Sequence, residues 1–460
     1  MMDVLVRGGR VVTETAVLDL DVGIVDGRIA ALFAPGEAPT EAAEVIHASS
    51  LVVMPGGVDL HTHFTGSNDQ PVTEVRAGTF GAALGGITTV LEMPHSGPPA
   101  TTLEGFQWKR DLMEAESSVD FGLWAGLDGT NLPLLPAFDA AGAIAFKAFL
   151  CSGDPAGAAT EPTGLPRLGD HDLVAAMRVI GGFDGLVGVH SENHDMLIGR
   201  GRELRAAGRH DMRAHAEAQP ELAEIEAVSR LALFAADTRT RTHVVHVSSA
   251  RALKAVASAR QAGVRISAET CPHYLLLDED DLVRIGPNAR CGPPFRPRAT
   301  VDALWGDVLT DRVDAVASDH CPYRPERKAA GLASVWEAGM GLTGIETMLP
   351  LFLTEAVGRR GLPLTAVARL LSTGPARIAG LYPRKGVIAV GADADLALCN
   401  LDAPWTVRGA AFQGLGTWSA FEGMTATTRV IRTLVRGRTV QNEGRPGVEP
   451  GYGTMLKRRS

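Results

Sequence analysis

Six side chains of metal-binding or reactive type lie in or directly after short apolar runs of the sequence. They are His61, His63, Lys147, His190, His246 and Asp319. Because alternate residues of a β-strand point to the same face, His61 and His63 can reach a single ion. Four imidazoles and a carboxylate suit Zn²⁺, with Co²⁺, Mn²⁺, Fe²⁺ or Ni²⁺ as alternatives, and do not suit Mg²⁺ or Ca²⁺. The sequence therefore predicts a transition-metal site.

Each of these residues also has an ordinary structural interpretation. A single histidine at a strand end is more often a hydrogen-bonded structural group than a ligand, and this role suits His243, His273 and His320. Five candidate ligands at four strand ends of one fold are much harder to attribute to chance. Lys147 is the most unusual residue, since an ammonium inside an apolar strand must be neutralised, paired or chemically changed. A charge pair with an acidic neighbour is the alternative for this lysine.

The sequence contains eight apolar runs that alternate with helix-like segments, and five of these runs carry or adjoin the six residues. The runs are LVVMPGGVDL, ITTVLEM, FGLWAGL, AIAFKAFL, LVGVH, HVVHV, VRISAET and VDAVAS. Eight buried strands that alternate with helices favour a (β/α)₈ TIM barrel, an α/β fold whose active sites lie at the C-terminal ends of the strands. An open doubly wound sheet is the alternative, and no G-x-G-x-x-G motif follows the first strand to support it.

The two ends of the chain show another pattern, in which short β-rich runs are separated by glycine-containing turns. Asp26-Gly27, for example, is a strong hairpin signal. We expect residues 1–54 and 381–446 to form the two halves of a small β-sandwich, and residues 55–380 to form the barrel. The polar, glycine- and proline-rich residues 447–460 are expected to be a loosely held C-terminal tail.

Composition argues against several classes of protein. A net charge of −9 over 460 residues lacks the basic character of a nucleic-acid-binding protein. No apolar run is long enough to span a membrane, and the first residues do not resemble a signal peptide. Five scattered cysteines without a C-x-x-C pair favour a reducing compartment. We therefore expect a cytoplasmic enzyme with no nucleic-acid or membrane partner.

Eight segments together resemble the cyclic amidase branch of the amidohydrolase superfamily, which contains dihydroorotases, allantoinases and hydantoinases. They are PGGVDLHTH at 55–63, GGITTVLEMP at 85–94, FKAFL at 146–150, VHSEN at 189–193, HVVHVSSA at 243–250, ETCPHYL at 269–275, CGPPFR at 291–296 and SDHCPY at 318–323. The resemblance covers nearly the whole chain. It implies hydrolysis of a small cyclic amide or ureide by a homo-oligomer, either a dimer or a tetramer.

The resemblance also implies a role for each of the six residues. Lys147 would be carboxylated on its amine and would bridge two divalent metal ions. The first ion would be bound by His61, His63 and Asp319, and the second by His190 and His246. Asp319 would take a proton from the attacking water and pass it to the leaving ring nitrogen. Contacts to the substrate are expected from Thr65, Ser152, Asn288, Cys291 and Gly292.

Departures from the patterns of the branch discriminate among its substrates. Dihydroorotases usually carry an arginine two residues after the H-x-H pair, allantoinases often an asparagine and hydantoinases often an aspartate, whereas this chain has Thr65. Hydantoinases usually place a tyrosine five residues after the bridging lysine, and this chain has Ser152 there. Arg290 or Arg296 would supply a substitute charge, or would be a structural clamp on its loop.

These departures favour an allantoinase-like activity, the conversion of allantoin to allantoate in purine catabolism. Hydantoinase (dihydropyrimidinase) and dihydroorotase activities are the alternatives. A non-catalytic protein is a further alternative, since some relatives of hydantoinases are oligomeric scaffolds that have lost their metal ligands. The intact set of six residues argues against that class.

Overall fold

The computed structural model describes residues 1–65, 73–95, 97–152 and 165–458. A mainly antiparallel sheet begins at the N-terminus. Its first five strands are β1 (Met2–Val12), β2 (Val17–Val25), β3 (Arg28–Phe33), β4 (Ala42–His47) and β5 (Val52–Pro55). β1 pairs in parallel with β4 and β5 and antiparallel with β2, so this long strand lies at the centre of the N-terminal half.

The central part of the chain forms eight consecutive parallel strands. They are β6 (Gly57–Thr62), β7 (Ile87–Glu92), β8 (Asp120–Gly126), β9 (Ala145–Phe149), β10 (Leu186–His190), β11 (Arg241–Val244), β12 (Ile266–Thr270) and β13 (Ala315–Val316). Each strand overlaps one of the eight apolar runs of the sequence, and the first run also contains β5. Nearly every residue in them is buried, as expected for strands that are covered on both faces.

The C-terminal part of the chain returns to the first sheet. This part contains six strands, β14 (Leu396–Asn400), β15 (Trp405–Thr406), β16 (Thr425–Ala426), β17 (Arg429–Val435), β18 (Arg438–Asn442) and β19 (Arg445–Pro446). β14 pairs with β5, and β15 and β16 form a separate two-stranded ribbon. Nine strands from both termini thus form one hydrogen-bonded sheet beside the barrel. The predicted TIM barrel with a second domain built from both termini is confirmed.

Helices surround the barrel and fill the connections between its strands. They are α1 (Val75–Leu84), α2 (Leu103–Glu116), α3 (Leu135–Ala141), α4 (Asp170–Gly181), α5 (His194–Ala206), α6 (Met212–Ala218), α7 (Glu221–Thr238), α8 (Ala250–Gln261), α9 (Pro272–Leu276), α10 (Glu279–Ile285), α11 (Arg298–Leu309), α12 (Pro325–Ala329), α13 (Met348–Leu353), α14 (Leu364–Ala368) and α15 (Gly374–Ile378). Within the described residues, each helix is too short or too polar to cross a lipid bilayer.

The first and last barrel strands meet beside the six predicted residues. Thr62 forms a parallel bridge with His320, and the amide of His63 donates to the His320 carbonyl at 2.8 Å. Asp59, buried in β6, accepts from the amide of Ser318 at 3.1 Å. These bonds close the barrel, and they fix the segment after β13 against the segment after β6.

The C-terminal tail does not behave as the sequence predicted. Phe121 donates through its amide to the Thr454 carbonyl at 3.1 Å and accepts from the amide of Leu456 at 2.7 Å. The Leu456 side chain is fully buried in the barrel core. The prediction of a loosely held tail is therefore wrong for residues 447–458, because one apolar side chain and a short β-bridge anchor it. Residues 459 and 460 lie outside the described residues.

A buried lysine joins the barrel to the second sheet. Lys385 Nζ lies 2.5 Å from Asp120 Oδ2, 2.8 Å from Asp395 Oδ2 and 3.1 Å from Asp393 Oδ2. Asp120 also accepts from the amide of Thr454 at 2.9 Å. Attraction by these carboxylates outweighs burial and raises the pKa of Lys385. The lysine stays charged, and it holds the barrel, the sheet and the tail at one point.

Candidate metal centre and active site

The ends of five barrel strands bring all six predicted residues to the same end of the barrel. His61 lies in β6, and His63 follows this strand directly. Lys147 lies in β9, His190 ends β10, His246 follows β11 by two residues, and Asp319 follows β13 by three residues. In a parallel barrel these positions share one rim, which is where barrel enzymes place their active sites.

The first group of candidate ligands contains His61, His63 and Asp319. Asp319 Oδ1 lies 3.3 Å from Nε2 of both histidines. Because Nδ1 of His61 donates to Glu269 Oε1 at 2.8 Å, its Nε2 carries a lone pair, which faces the lone pairs of the carboxylate. Burial lowers the pKa of His61 well below its ordinary value, so the ring is neutral. Facing lone pairs of this kind are stabilised by a cation between them.

The second group contains His190 and His246, whose Nδ1 and Nε2 atoms lie 2.9 Å apart. Nε2 of His190 is 2.8 Å from Glu192 Oε2 and donates to it, so Nδ1 offers a lone pair toward His246. Burial lowers the pKa of His246 well below its ordinary value. Its Nδ1 is buried and has no hydrogen-bond partner among the described residues. The ring centroids of His61 and His246 are 5.4 Å apart, so the two groups adjoin.

Lys147 is fully buried beside both groups. Its Nζ lies 5.1 Å from the ring centroid of Phe149, which in turn stacks on His190. Burial lowers the pKa of Lys147 to about 8, and Asp319 and Glu269 offset this only through longer-range charge attraction. The amine therefore loses its proton far more readily than an ordinary lysine. A neutral buried amine is the form that reacts with CO₂.

Two of the six residues have strained backbone conformations. The φ angles of His246 and Asp319 are +39° and +48°, in the left-handed region that residues other than glycine rarely adopt. Such conformations cost about 1–3 kcal/mol each and are found mainly where function requires them. With this backbone conformation Asp319 lies beside His61 and His63, and His246 lies beside His190.

Glu269 is a site residue that the sequence analysis missed. It is fully buried at the end of β12, and its two oxygens accept from His61 Nδ1 at 2.8 Å and from His243 Nε2 at 3.0 Å. The other nitrogen of His243 lies 2.8 Å from Ser267 Oγ. A carboxylate that holds the outer nitrogen of a ligand histidine fixes the orientation of that ring. An acidic residue inside a buried strand was the available signal for this role.

The Thr65 side chain forms hydrogen bonds with two buried neighbours. Its hydroxyl donates to Glu92 Oε1 at 3.0 Å and accepts from Lys109, and the residue is 1% exposed. The Lys109 amine also donates to the His95 carbonyl at 2.6 Å. In this arrangement the Thr65 hydroxyl is buried and its hydrogen bonds are made within the protein, and a substrate contact through it stays a prediction.

The other expected substrate contacts differ in their accessibility. Ser152 and Asn288 are half-buried, and the amide of Ser152 lies 3.3 Å from His194 Nδ1. The Cys291 carbonyl accepts from His215 Nε2 at 2.8 Å, which uses one of the two lone pairs of this oxygen. Gly292 packs against Met340 and is half-buried. Ser152, Asn288, Cys291 and Gly292 therefore stay predictions.

The two arginines of the loop after β12 are structural clamps. Arg290 donates to the carbonyls of Trp336 and Ala338 and is 4% exposed. Arg296 donates to Ser248 Oγ at 2.9 Å and to the Gln219 carbonyl at 2.6 Å. With these bonds in place, both guanidinium groups are held by the loops around the site.

Comparisons with known proteins agree with this geometry. Residues 52–440 match the model of the amidohydrolase family. The chain is 34% identical to an L-hydantoinase of Paenarthrobacter aurescens over 100% of this chain and 99% of that protein. It is 37% identical to an allantoinase of Rubrobacter xylanophilus over 96% and 95% of the two chains. The solved L-hydantoinase (dihydropyrimidinase) from Arthrobacter aurescens superposes with a TM-score of 0.94 at 33% identity, with both chains fully covered.

Members of the amidohydrolase family are generally binuclear metal enzymes with a carboxylated lysine. The two groups of side chains and the buried lysine fit such a centre: ligand atoms of His61, His63 and Asp319 lie within 4.8 Å of one another, and His190 Nδ1 lies 2.9 Å from His246 Nε2. The barrel, the histidine and aspartate groups at its rim and the match over residues 52–440 lead to one conclusion. The chain belongs to the amidohydrolase family.

Proposed function

We propose that this protein hydrolyses the C–N bond of a neutral cyclic ureide, with allantoin as the preferred ring. The observation that carries the proposal is that two groups of candidate ligand side chains adjoin each other, with a buried lysine close to them. Asp319 Oδ1 faces Nε2 of His61 and His63, and His190 Nδ1 lies 2.9 Å from His246 Nε2. Allantoinases and an L-hydantoinase among the relatives support the class of substrate.

In this proposal the first group of ligands holds one divalent metal ion and the second group holds another. Lys147, carboxylated on its amine, would be a ligand to both ions. The carboxylation forms an N–C bond to CO₂ and releases one amine proton. Nitrogen and carboxylate ligands of this kind favour Zn²⁺, with Co²⁺, Mn²⁺, Fe²⁺ and Ni²⁺ as alternatives. When bound, such ions polarise the ring carbonyl and lower the pKa of the attacking water.

Asp319 is the residue that moves the proton. Its side chain is 15% exposed, so it is accessible to water and substrate, and it lies beside His61 and His63. It accepts a proton from water as the new C–O bond forms, and delivers it to the ring nitrogen as the C–N bond breaks. The neutral histidines contribute no competing proton, because burial holds the pKa of His61 and His246 low.

Replacing Glu269 with glutamine is expected to weaken metal binding by about 10–100-fold, the usual cost of losing an outer partner of a ligand histidine. A glutamine side chain offers only one acceptor oxygen, whereas Glu269 accepts from both His61 and His243. Its NH₂ group would therefore oppose one of the two ring N–H groups. Competition with a chelator measures the dissociation constant of Zn²⁺.

Glu346→Gln is a matched control for this experiment. Glu346 is a largely buried glutamate that accepts from the amide of Gln413 at 2.7 Å, and burial raises its pKa to about 7. It contacts neither group of candidate ligands, so its replacement should leave the Zn²⁺ dissociation constant unchanged. If the Glu269→Gln protein bound Zn²⁺ as tightly as this control, the carboxylate would have no part in orienting His61.

The choice of a neutral ring is based on the charges around the site. Dihydroorotate carries a carboxylate, which is usually gripped by an arginine in a bidentate pair. Thr65 occupies the usual position of that arginine, and Arg290 and Arg296 are already bound to carbonyl and hydroxyl groups of the protein. The amine of Lys109 is directed at Thr65 and the His95 carbonyl. These arrangements support a ring without a carboxylate.

The test is a comparison of kcat/KM for allantoin, hydantoin, dihydrouracil and dihydroorotate with Zn²⁺-, Co²⁺- and Mn²⁺-loaded protein. We expect allantoin to give the highest value and dihydroorotate to be lower by at least about tenfold, a difference of ~1.4 kcal/mol in transition-state binding. The Asp319→Asn protein gives the background rate. A preference for dihydroorotate would show that a cation does reach the substrate, and would overturn the choice of ring.

Hydantoin opening is the second candidate activity. It is favoured by the full-length match to an L-hydantoinase, both in sequence and in structure. Ser152 stands where hydantoinases usually place a tyrosine, and this departure is the reason for ranking allantoin first. A higher kcat/KM for hydantoin than for allantoin would reverse the ranking but keep the proposed chemistry. The proposal also places the enzyme in the cytoplasm as a dimer or tetramer.

A further inference from the structure

A second cluster of metal-binding side chains lies on the outer side of His190. Ligand atoms of Cys151, His190 and Glu192 lie within 4.8 Å of one another, and all three residues are buried. Nε2 of His190 points toward Glu192 Oε2 at 2.8 Å, whereas Nδ1 of the same ring points toward His246. The cluster is therefore separated from the proposed second metal by the width of one imidazole ring.

The chemistry of the cluster suits a thiophilic divalent ion. Thiolate, imidazole and carboxylate are the ligands that Zn²⁺ and Cd²⁺ accept together. A thiolate and a carboxylate also neutralise the charge of a dication. This neutrality matters because Cys151 packs against Leu197 and Ala223, and an uncompensated charge is costly among apolar side chains.

Glu192 gives an independent indication of a ligand. One of its oxygens accepts from His190, but Oε1 is buried and has no hydrogen-bond partner among the described residues. A buried carboxylate oxygen without a partner is uncommon and requires an explanation. An ion held by Cys151 and Glu192 would satisfy this oxygen.

We propose that Cys151, His190 and Glu192 form an inhibitory site for a thiophilic divalent metal ion. The inference rests on the proposed function, in which His190 serves the second active-site metal through Nδ1. A neutral imidazole has a single lone pair, so His190 binds at Nδ1 or at Nε2 but not at both. An ion in the outer site takes Nε2, releases the thiol proton of Cys151 and moves the ring proton to Nδ1. The active site then loses a ligand.

Cd²⁺ is the probe for this site, because cadmium thiolates absorb in the ultraviolet and ligation by nitrogen and oxygen alone does not produce that band. Adding Cd²⁺ to the metal-replete enzyme should produce a thiolate-to-cadmium band that saturates at one ion per chain. The same addition should release Zn²⁺ and inhibit hydrolysis. Cys151→Ser should lose the band, and its inhibition should require at least about ten times more Cd²⁺, the lower end of the effect of removing a metal-site partner.

Cys399→Ser is the matched control. Cys399 is another buried cysteine, in β14 of the second sheet, where its Sγ lies 3.7 Å from the Ala397 carbonyl. This variant should keep the band, the stoichiometry and the sensitivity to Cd²⁺. Glu192→Gln should keep the band, because the Cys151 thiol is intact. This variant should bind Cd²⁺ more weakly, because the negative charge of Glu192 is lost.

The outcomes separate this site from the proposed function. The same band in Cys151→Ser, or no band in the wild type at saturating Cd²⁺, would overturn the outer site whatever the enzyme hydrolyses. A band that depends on Cys151, with no inhibition of hydrolysis, would show that the ion binds but does not take His190 from the active site. That result would disprove the inhibitory role. If no cyclic amide is hydrolysed, the proposed function fails, while the absorption measurement still decides whether the metal site exists.

Discussion

Replacing Lys147 with alanine is expected to abolish both metal binding and turnover. In the proposed centre this side chain supplies an oxygen to each of two ions, and alanine supplies none. Lys147 is fully buried, so its removal leaves a cavity beside Phe149, the ring that stacks on His190. A short carboxylic acid such as acetate or propionate can occupy that cavity and should partly restore both properties. Metal content by mass spectrometry and kcat with and without the acid are the measurements.

Lys109→Ala is the control for unspecific effects of the acid. Lys109 is also fully buried, and burial lowers its pKa to about 8, as it does for Lys147. Its amine, however, bonds to Thr65 and the His95 carbonyl and to none of the six candidate ligands. Added acid should leave the kcat and the metal content of this variant unchanged. Normal turnover of Lys147→Ala without added acid would remove the bridging role from the proposal.

The parts of the site that follow from local sequence were predictable. A buried strand exposes alternate residues to one face, and the ends of parallel strands share one rim of a barrel. His61, His63, His190, His246 and Asp319 therefore had to meet if the eight apolar runs formed a barrel. Lys147 stood out because an ammonium is rare inside an apolar strand.

The partners of these residues were not predictable, because they depend on contacts distant in sequence. Glu269 lies 208 residues from His61, and only the closed barrel brings their side chains together. The burial of Thr65 depends on a lysine in α2, whose sequence offers no sign that it turns toward the strands. The anchored tail depends on the single side chain of Leu456, which is too short a pattern to indicate a strand.

The second large effect is expected for Asp319→Asn, which should separate metal binding from proton transfer. Asparagine keeps an oxygen near Nε2 of His61 and His63, and it tolerates the left-handed backbone that Asp319 adopts at φ +48°. It cannot accept a proton and return it. We expect kcat to fall by at least ~10²-fold, the scale of general acid–base catalysis, while most of the bound metal is retained.

Asp311→Asn tests whether the effect of Asp319→Asn belongs to the site rather than to the backbone. Asp311 is also an aspartate with a left-handed backbone, at φ +63°, but its side chain is 71% exposed and pairs with Arg369. Its replacement should change neither kcat nor metal content, because exposed ion pairs contribute little. Metal content and kcat that fall in the same proportion in Asp319→Asn would make Asp319 a ligand alone. The proton would then have to reach the ring nitrogen from another group or directly from water.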